Sequence, residues 1–488
     1  MRRFIAQSIL VVALSLCALS VQAFSLAGPE AGWQTGPLGY NTGGTIHDGP
    51  QNLNEEYRWN APVLFYAFDP SFIEYFGTNG MLAVEQAMKI LNDIPPASQM
   101  TDAYLNALPL DTTGVNFTAS TLGIIDLKSA ILSQLVLYMG LDQPGRYTWT
   151  LRSRQTQNSG GRTITNYVTI MRNFDPITFQ PTNAVNGQSF DYVIQEDALG
   201  NADAFETVPG SPLPGVLSTA VAEGAIGSGL FYFGLTRDDL GGLRYIYRTN
   251  NLNFENLPAN TSLATSTPGT FTSIGTGLSP YIPVIGIITN AGGTVTTNAG
   301  ITNFFFAVTN GLRPGVDKLT FRRVNFDGIL GTTFQPVTNI YTDRLLTVSS
   351  NGFQRIVTQR VERRITFPDI VFSASDLGLS GNPPTPNLIL ETDPQGSWIN
   401  NAGINSRVIR GTLNGPGNIT PFSISLSSLG PYFLNVNPGF TTGPDVTVLG
   451  FAWGSYDDIS IKAIYPEYLN MSIADLEALF QATQGTTP

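Results

Sequence analysis

The apolar positions change period along the chain. Residues 58–69 form an apolar, aromatic run that predicts a strand. Over 79–93, Met81, Leu82, Val84, Met88, Leu91 and Ile94 recur near helical spacing, and Pro95-Pro96 ends the pattern. A second helix is predicted over 127–140, with Asp126 as N-cap and Gly140 at the C-terminal end. Most of its positions are apolar, so it is expected to be deeply buried. Residues 145–232 alternate strand-like runs with turns. A third helix is predicted over 237–247, where Thr236 and Asp239 form a capping box and Leu235 with Leu240 fits a hydrophobic staple.

The character shifts after Asn250. Residues 251–300 are rich in Thr, Asn, Gly, Ser and Pro, which suggests a linker and edge strands. From 301 onward the pattern is short strands and turns. Its clearest unit is a hairpin, residues 344–349 and 353–367 around Asn351-Gly352. A last helix is predicted near 473–482, capped by Ser472. The fold class expected is α+β. A domain over 58–250, with a twisted sheet, three helices and an insertion at 145–232, precedes a β-sandwich-like region over 301–488.

The first residues read as targeting. Arg2 and Arg3 precede a mostly apolar stretch, and Val21-Gln22-Ala23 fits a cleavage site, so residues 1–23 are expected to be a signal peptide and 24–57 an irregular lead-in. The expected location is secreted, periplasmic or cell-surface, with no membrane span after cleavage. Cys17 lies within the leader, so the mature chain is expected to lack cysteine and to depend on packing instead of disulfides. The formal charge is −11, with 12% charged residues, which argues against nucleic-acid binding.

Three segments, taken in order, resemble the secreted matrixin-type metalloproteases of the metzincin group. Pro-Val-Leu-Phe-Tyr-Ala-Phe-Asp at 62–69, with the helix after it, resembles the family's opening strand and first helix. Asp-Leu-Lys-Ser-Ala-Ile-Leu-Ser-Gln-Leu-Val-Leu-Tyr-Met-Gly-Leu-Asp-Gln-Pro at 126–144 resembles the zinc helix. Leu-Thr-Arg-Asp-Asp-Leu-Gly-Gly-Leu-Arg-Tyr-Ile-Tyr at 235–247 is similar to the closing helix. The resemblance implies a zinc motif His-Glu-x-x-His-x-x-Gly-x-x-His, in which two histidines share a helix face and the glutamate activates water. This chain departs from it at every chemical position. Ser133 and Leu137 replace the first two histidines, Gln134 the glutamate and Gln143 the third histidine; Gly140 remains. The family's methionine turn is not evident before Leu235, and the one histidine, His47, cannot supply a site. No catalytic residue, metal or cofactor is therefore expected.

Other chemistry is thin. Asp111-Thr112-Thr113-Gly114 reads as a turn, and no nucleophile elbow surrounds Ser228 or Ser455. Glu196-Asp197, Asp238-Asp239 and Asp457-Asp458 are acid pairs; the middle one suits a helix N-terminus. Residues 313–364 carry nine basic residues against four acidic ones. Among them Arg322, Arg323, Arg355, Arg360, Arg363 and Arg364 could form a basic stripe that meets acidic polysaccharide, lipid headgroups or the chain's own acidic N-terminal domain, but an alternating solvated strand face is the favoured reading; the partner class left open is an extracellular protein or polysaccharide. The function expected is a non-enzymatic surface, structural or binding protein, with self-assembly open. The rival is an exported hydrolase, perhaps acting on glycans through unassigned carboxylates.

Overall fold

The structure is a computed structural model. It describes residues 23–28, 51–146, 148–198, 202–209, 219–223, 226–258, 260–264, 310–325, 336–348, 354–376, 387–392, 419–428, 434–436, 446–448 and 452–464. The leader before Ala23, His47, Asn351-Gly352 and the helix predicted at 473–482 lie outside the described residues.

The chain is mixed α and β, with few helices and many strands. Helices α1 (Pro70–Asp93), α2 (Asp102–Asn106), α3 (Phe117–Thr121), α4 (Leu127–Tyr138) and α5 (Arg237–Tyr247) carry the helical part. Helix α1 begins earlier than the apolar period suggests. Asp69 caps it by accepting from Ser71 N at 2.9 Å, and Pro70 occupies the first turn. Gly77, at φ +56, breaks the helix geometry, so the period is regular only after that point. Phe72, Phe76, Gly80, Ala83, Val84, Ala87, Met88 and Leu91 form its buried face.

Helix α4 is mostly apolar, without a distinct polar face, and is buried almost throughout. The Asp126 carboxylate accepts from Ser129 N at 2.9 Å. Beyond the helix, Gly140 takes φ +108, and a Cβ there would lie 2.2 Å from the Tyr57 carbonyl oxygen. Gly140→Ala is therefore expected to cost about 1–3 kcal/mol in denaturant unfolding, through strain and overpacking together. A loss below roughly 0.5 kcal/mol would contradict this account.

The two largest sheets among the described residues each have five strands. The first runs Thr320–Arg323, Val63–Phe68, Ile370–Asp376, Ile419–Ser428, Asn387–Thr392. Its first three pairings are parallel and the last is antiparallel. The second is antiparallel, in the order Leu252–Asn256, Asn310–Pro314, Val337–Val348, Gln354–Ile365, Thr261–Leu263. The predicted hairpin is its centre, with register from Val337↔Ile365 to Val348↔Gln354.

The division drawn near 251–300 is not a break in the sheets. Among the described residues, strand Val63–Phe68 pairs only with strands that follow residue 300, Phe321 facing Leu64 and Val371 facing Ala67. Strand Ala452–Tyr456 pairs in parallel with Ile124–Asp126, at the mouth of α4. One hydrophobic core accordingly contains Leu64, Phe72, Leu135, Tyr245, Phe372, Ile424 and Trp453 together. Parallel strands cannot be joined by a tight hairpin, so the strands that flank Val63–Phe68 need not be close to it in sequence.

Candidate functional site

Helix α4 places Ser133 and Leu137 one turn apart on the same face. That face looks into packed protein. Ser133 is wholly buried, and its hydroxyl donates to the Val221 carbonyl at 2.6 Å. Leu137 is 3% exposed and belongs to the main core with Val221, Ala222 and Tyr232. Gln134 and Gln143 are half-buried. Gln143 N donates to the Asp142 carboxylate at 2.8 Å.

The floor under Ser133 is a short turn, Val221–Glu223, which gave no signal in the sequence. It is held by the N-terminus of α5. The Thr236 hydroxyl accepts from Asp239 N, and the Asp239 carboxylate accepts from Thr236 N, which completes the expected capping box. The same carboxylate also accepts from Val221 N and Ala222 N, each at 3.0 Å. A cap thus doubles as a clamp on a segment packed against α4. The only trace in the sequence was that the capping acid has an acidic neighbour.

That neighbour is Asp238, buried at 1% exposure. Its Oδ2 accepts from Ala23 N at 2.8 Å and Asn186 N at 2.6 Å, whereas its Oδ1 has no hydrogen-bond partner among the described residues. Burial pushes its pKa up to about 8, against the pull of the two N–H donors. A second buried carboxyl lies beyond α4. Glu206 accepts from Trp149 N at 3.0 Å and lies 3.6 Å from the Arg146 guanidinium, which also pairs with Asp203. Burial pushes Glu206 up to about 8 as well.

The zinc that the family resemblance implies does not fit these residues. A hydroxyl already committed to a carbonyl and a buried leucine replace the two imidazoles, and neither is a strong zinc ligand. Among the described residues, no group of three or more His, Cys, Asp or Glu is placed to hold a metal ion.

The arginines of the expected stripe fall on two sheets. Arg322 and Arg323 lie on Thr320–Arg323, in the first sheet; Arg323 pairs with Glu85, and Arg322 sits over the Phe65 ring at 5.8 Å. The other four lie on Gln354–Ile365, in the second sheet. Arg363 does not belong to an exposed stripe. It is buried and paired with Asp369, whose carboxylate also accepts from Phe65 N at 2.9 Å. Arg360 and Arg364 share one exposed face, which the register extends to Arg344 opposite Thr358. Arg355 is exposed but alternates to the other face. Of the acid pairs, Asp457 caps its own turn by accepting from Ile459 N and Ser460 N, and Glu196 pairs with Arg154.

No protein-family model, curated protein or solved structure matches this chain. Among the described residues, no helix is long and apolar enough to cross a membrane.

Proposed function

We propose that this is an exported, non-enzymatic surface or binding protein, built on a metalloprotease-like scaffold whose zinc centre has been replaced by core packing. The observation that carries this reading is the burial of Ser133 and Leu137 against the Val221–Glu223 turn. A zinc protease needs an open position beside its ligands for water and substrate. Filled by a leucine side chain and a carbonyl-bound hydroxyl, the same helix face offers neither. The order of strand Val63–Phe68, helix α1, buried helix α4 and capped helix α5 supports the scaffold part of the proposal.

The test is metal analysis together with peptidase assays on the purified exported protein. The expected result is less than about 0.1 zinc per chain and no peptide cleavage sensitive to a chelator. Zinc near one per chain, with cleavage that a chelator abolishes, would overturn the proposal.

A further inference from the structure

The stretch between α4 and α5 carries a projecting hairpin, strand Thr150–Ser159 with strand Arg162–Ile170. Gly160 and Gly161, at φ +58 and +78, make the two-residue turn. One face packs on the neighbouring hairpin Asp191–Glu196/Ala202–Thr207: Tyr167 joins Leu151, Ala202 and Ala204 in a small cluster, and Thr169 Oγ1 donates to the Tyr192 hydroxyl at 3.2 Å. The opposite face points to solvent, with Ile164 at 49% and Val168 at 46% exposure.

The outer edge of Arg162–Ile170 is also open. Among the described residues it has no strand beyond it and no backbone hydrogen bond to it. Proteins blunt such edges with proline, lysine, a bulge or a short strand. This strand is nine residues long, has neither proline nor lysine, and its hairpin's one irregularity lies on the partner strand, between Leu151 and Ser153. Its sequence, Arg-Thr-Ile-Thr-Asn-Tyr-Val-Thr-Ile, is rich in residues that favour strands. Among the described residues nothing pairs with its outward-facing backbone groups, which can be satisfied by water or by another extended chain.

The sequence selects which chain. A two-fold axis through Asn166 pairs each residue with its mirror along the strand. Ile164 then faces Val168, Thr165 faces Tyr167, and Thr163 faces Thr169, each twice. The two exposed apolar residues cover each other, and the remaining pairs are hydroxyl or aromatic. The strand's single charge, Arg162, falls opposite Ile170, so no like charges meet. That end of the strand is also where Tyr192 bonds Thr169, which brings Arg162 of one copy towards the exposed Asp191 of the other.

We propose that strand Arg162–Ile170 is a self-association edge, pairing antiparallel with the same strand of a second copy to make a continuous four-stranded sheet centred on Asn166. A single strand pairing is small beside the roughly 1,600 Å² of a standard stable interface. The dimer is therefore reversible and concentration-dependent, with effect where the protein is crowded. This inference does not rest on the fate of the zinc site.

The test uses the mature chain, from which Cys17 is removed with the leader, so that introduced cysteines are the only thiols. Asn166→Cys is expected to form a disulfide-linked dimer under mild oxidation at least tenfold faster than Thr163→Cys. Thr163 is equally exposed but faces Thr169 in this register. Ile164→Lys with Val168→Lys is expected to shift the sedimentation-equilibrium dimer constant at least tenfold towards monomer, with an unchanged circular dichroism spectrum. Equal crosslinking rates for Asn166→Cys and Thr163→Cys would overturn the proposal. So would a chain that stays monomeric at every concentration, or a dimer indifferent to the two lysines. Should the lysine variant fail to fold, the crosslinking comparison decides alone.

Discussion

Replacing Arg58 with alanine is expected to destabilise the protein by about 3–5 kcal/mol. Arg58 is 1% exposed, and every arm of its guanidinium is used. Its Nε donates to Glu255 at 2.5 Å. Nη1 donates to the Ile246 and Asn251 carbonyls at 3.1 and 2.9 Å, and Nη2 to the Arg313 carbonyl at 2.9 Å. Four segments meet at this side chain: the lead to strand Val63–Phe68, the end of α5, and two strands of the second sheet. Without it, Glu255 is a buried carboxylate deprived of its nearest cation, and burial already pushes its pKa up. Three carbonyls also lose a donor. Since whole proteins are stable by about 5–15 kcal/mol, this is a large fraction. Denaturant midpoints measure it. A second variant separates the lost charge pair from lost packing: Arg58→Met with Glu255→Leu is expected to recover most of the loss, because an apolar pair needs no desolvation repaid. A loss under about 1 kcal/mol in Arg58→Ala would show that the network is not a structural centre.

Arg58 also marks the limit of what was legible in the sequence. Local chemistry could be read. The Thr236–Asp239 box, the Asp126 cap and the hairpin read at 344–367, whose first strand the structure extends back to Val337, each depend on residues close together in the chain, and each is present. Non-local pairing could not be read. Nothing in Thr320–Arg323 announces that it lies parallel to Val63–Phe68, because a doubly buried strand is merely apolar and its partner is chosen by the finished core. Residues 301–465 therefore read as a region of their own, while the ladders tie them into the first half of the chain. Arg363 was misjudged for a related reason. Strand alternation gives the face a residue occupies, but Asp369, which draws it inward, lies past a turn that alternation does not describe. For the candidate site, sequence located Ser133 and Leu137, but their packing depended on Val221–Glu223, a turn with no motif of its own.

The same buried acids set the second large effect: stability is expected to fall as pH rises from about 4 to about 8. Asp238 and Glu206 both have folded pKa values pushed up to about 8, from ordinary values of 3.8 and 4.5. Within that window the folded chain holds protons that the unfolded chain has released. The stabilising contribution is complete below the unfolded values and is lost as pH passes through the folded ones. Each unit of difference corresponds to about 1.4 kcal/mol, so the two groups together set an upper limit of roughly 10 kcal/mol on the loss across the window. The geometry of Asp238 shows where its proton belongs. Oδ2 accepts from Asn186 N and, in the uncleaved chain, from Ala23 N, whereas Oδ1, buried without a partner among the described residues, is the oxygen whose burial costs least when it is protonated. Arg237 and Asp239 flank it with opposite effects, and burial outweighs both. Asp238→Asn carries an amide in place of the protonated acid. It is expected to match the parent near pH 5, to exceed it at pH 8, and to reduce the slope of stability against pH by about half; adding Glu206→Gln should remove most of the remainder. Denaturant unfolding at pH 5, 6.5 and 8 reads these slopes directly. A parent protein that gains stability over that range, or a double variant with an unaltered slope, would show that these carboxyls are ionised in the folded state. Their burial would then have to be balanced by donors other than the N–H groups that face them.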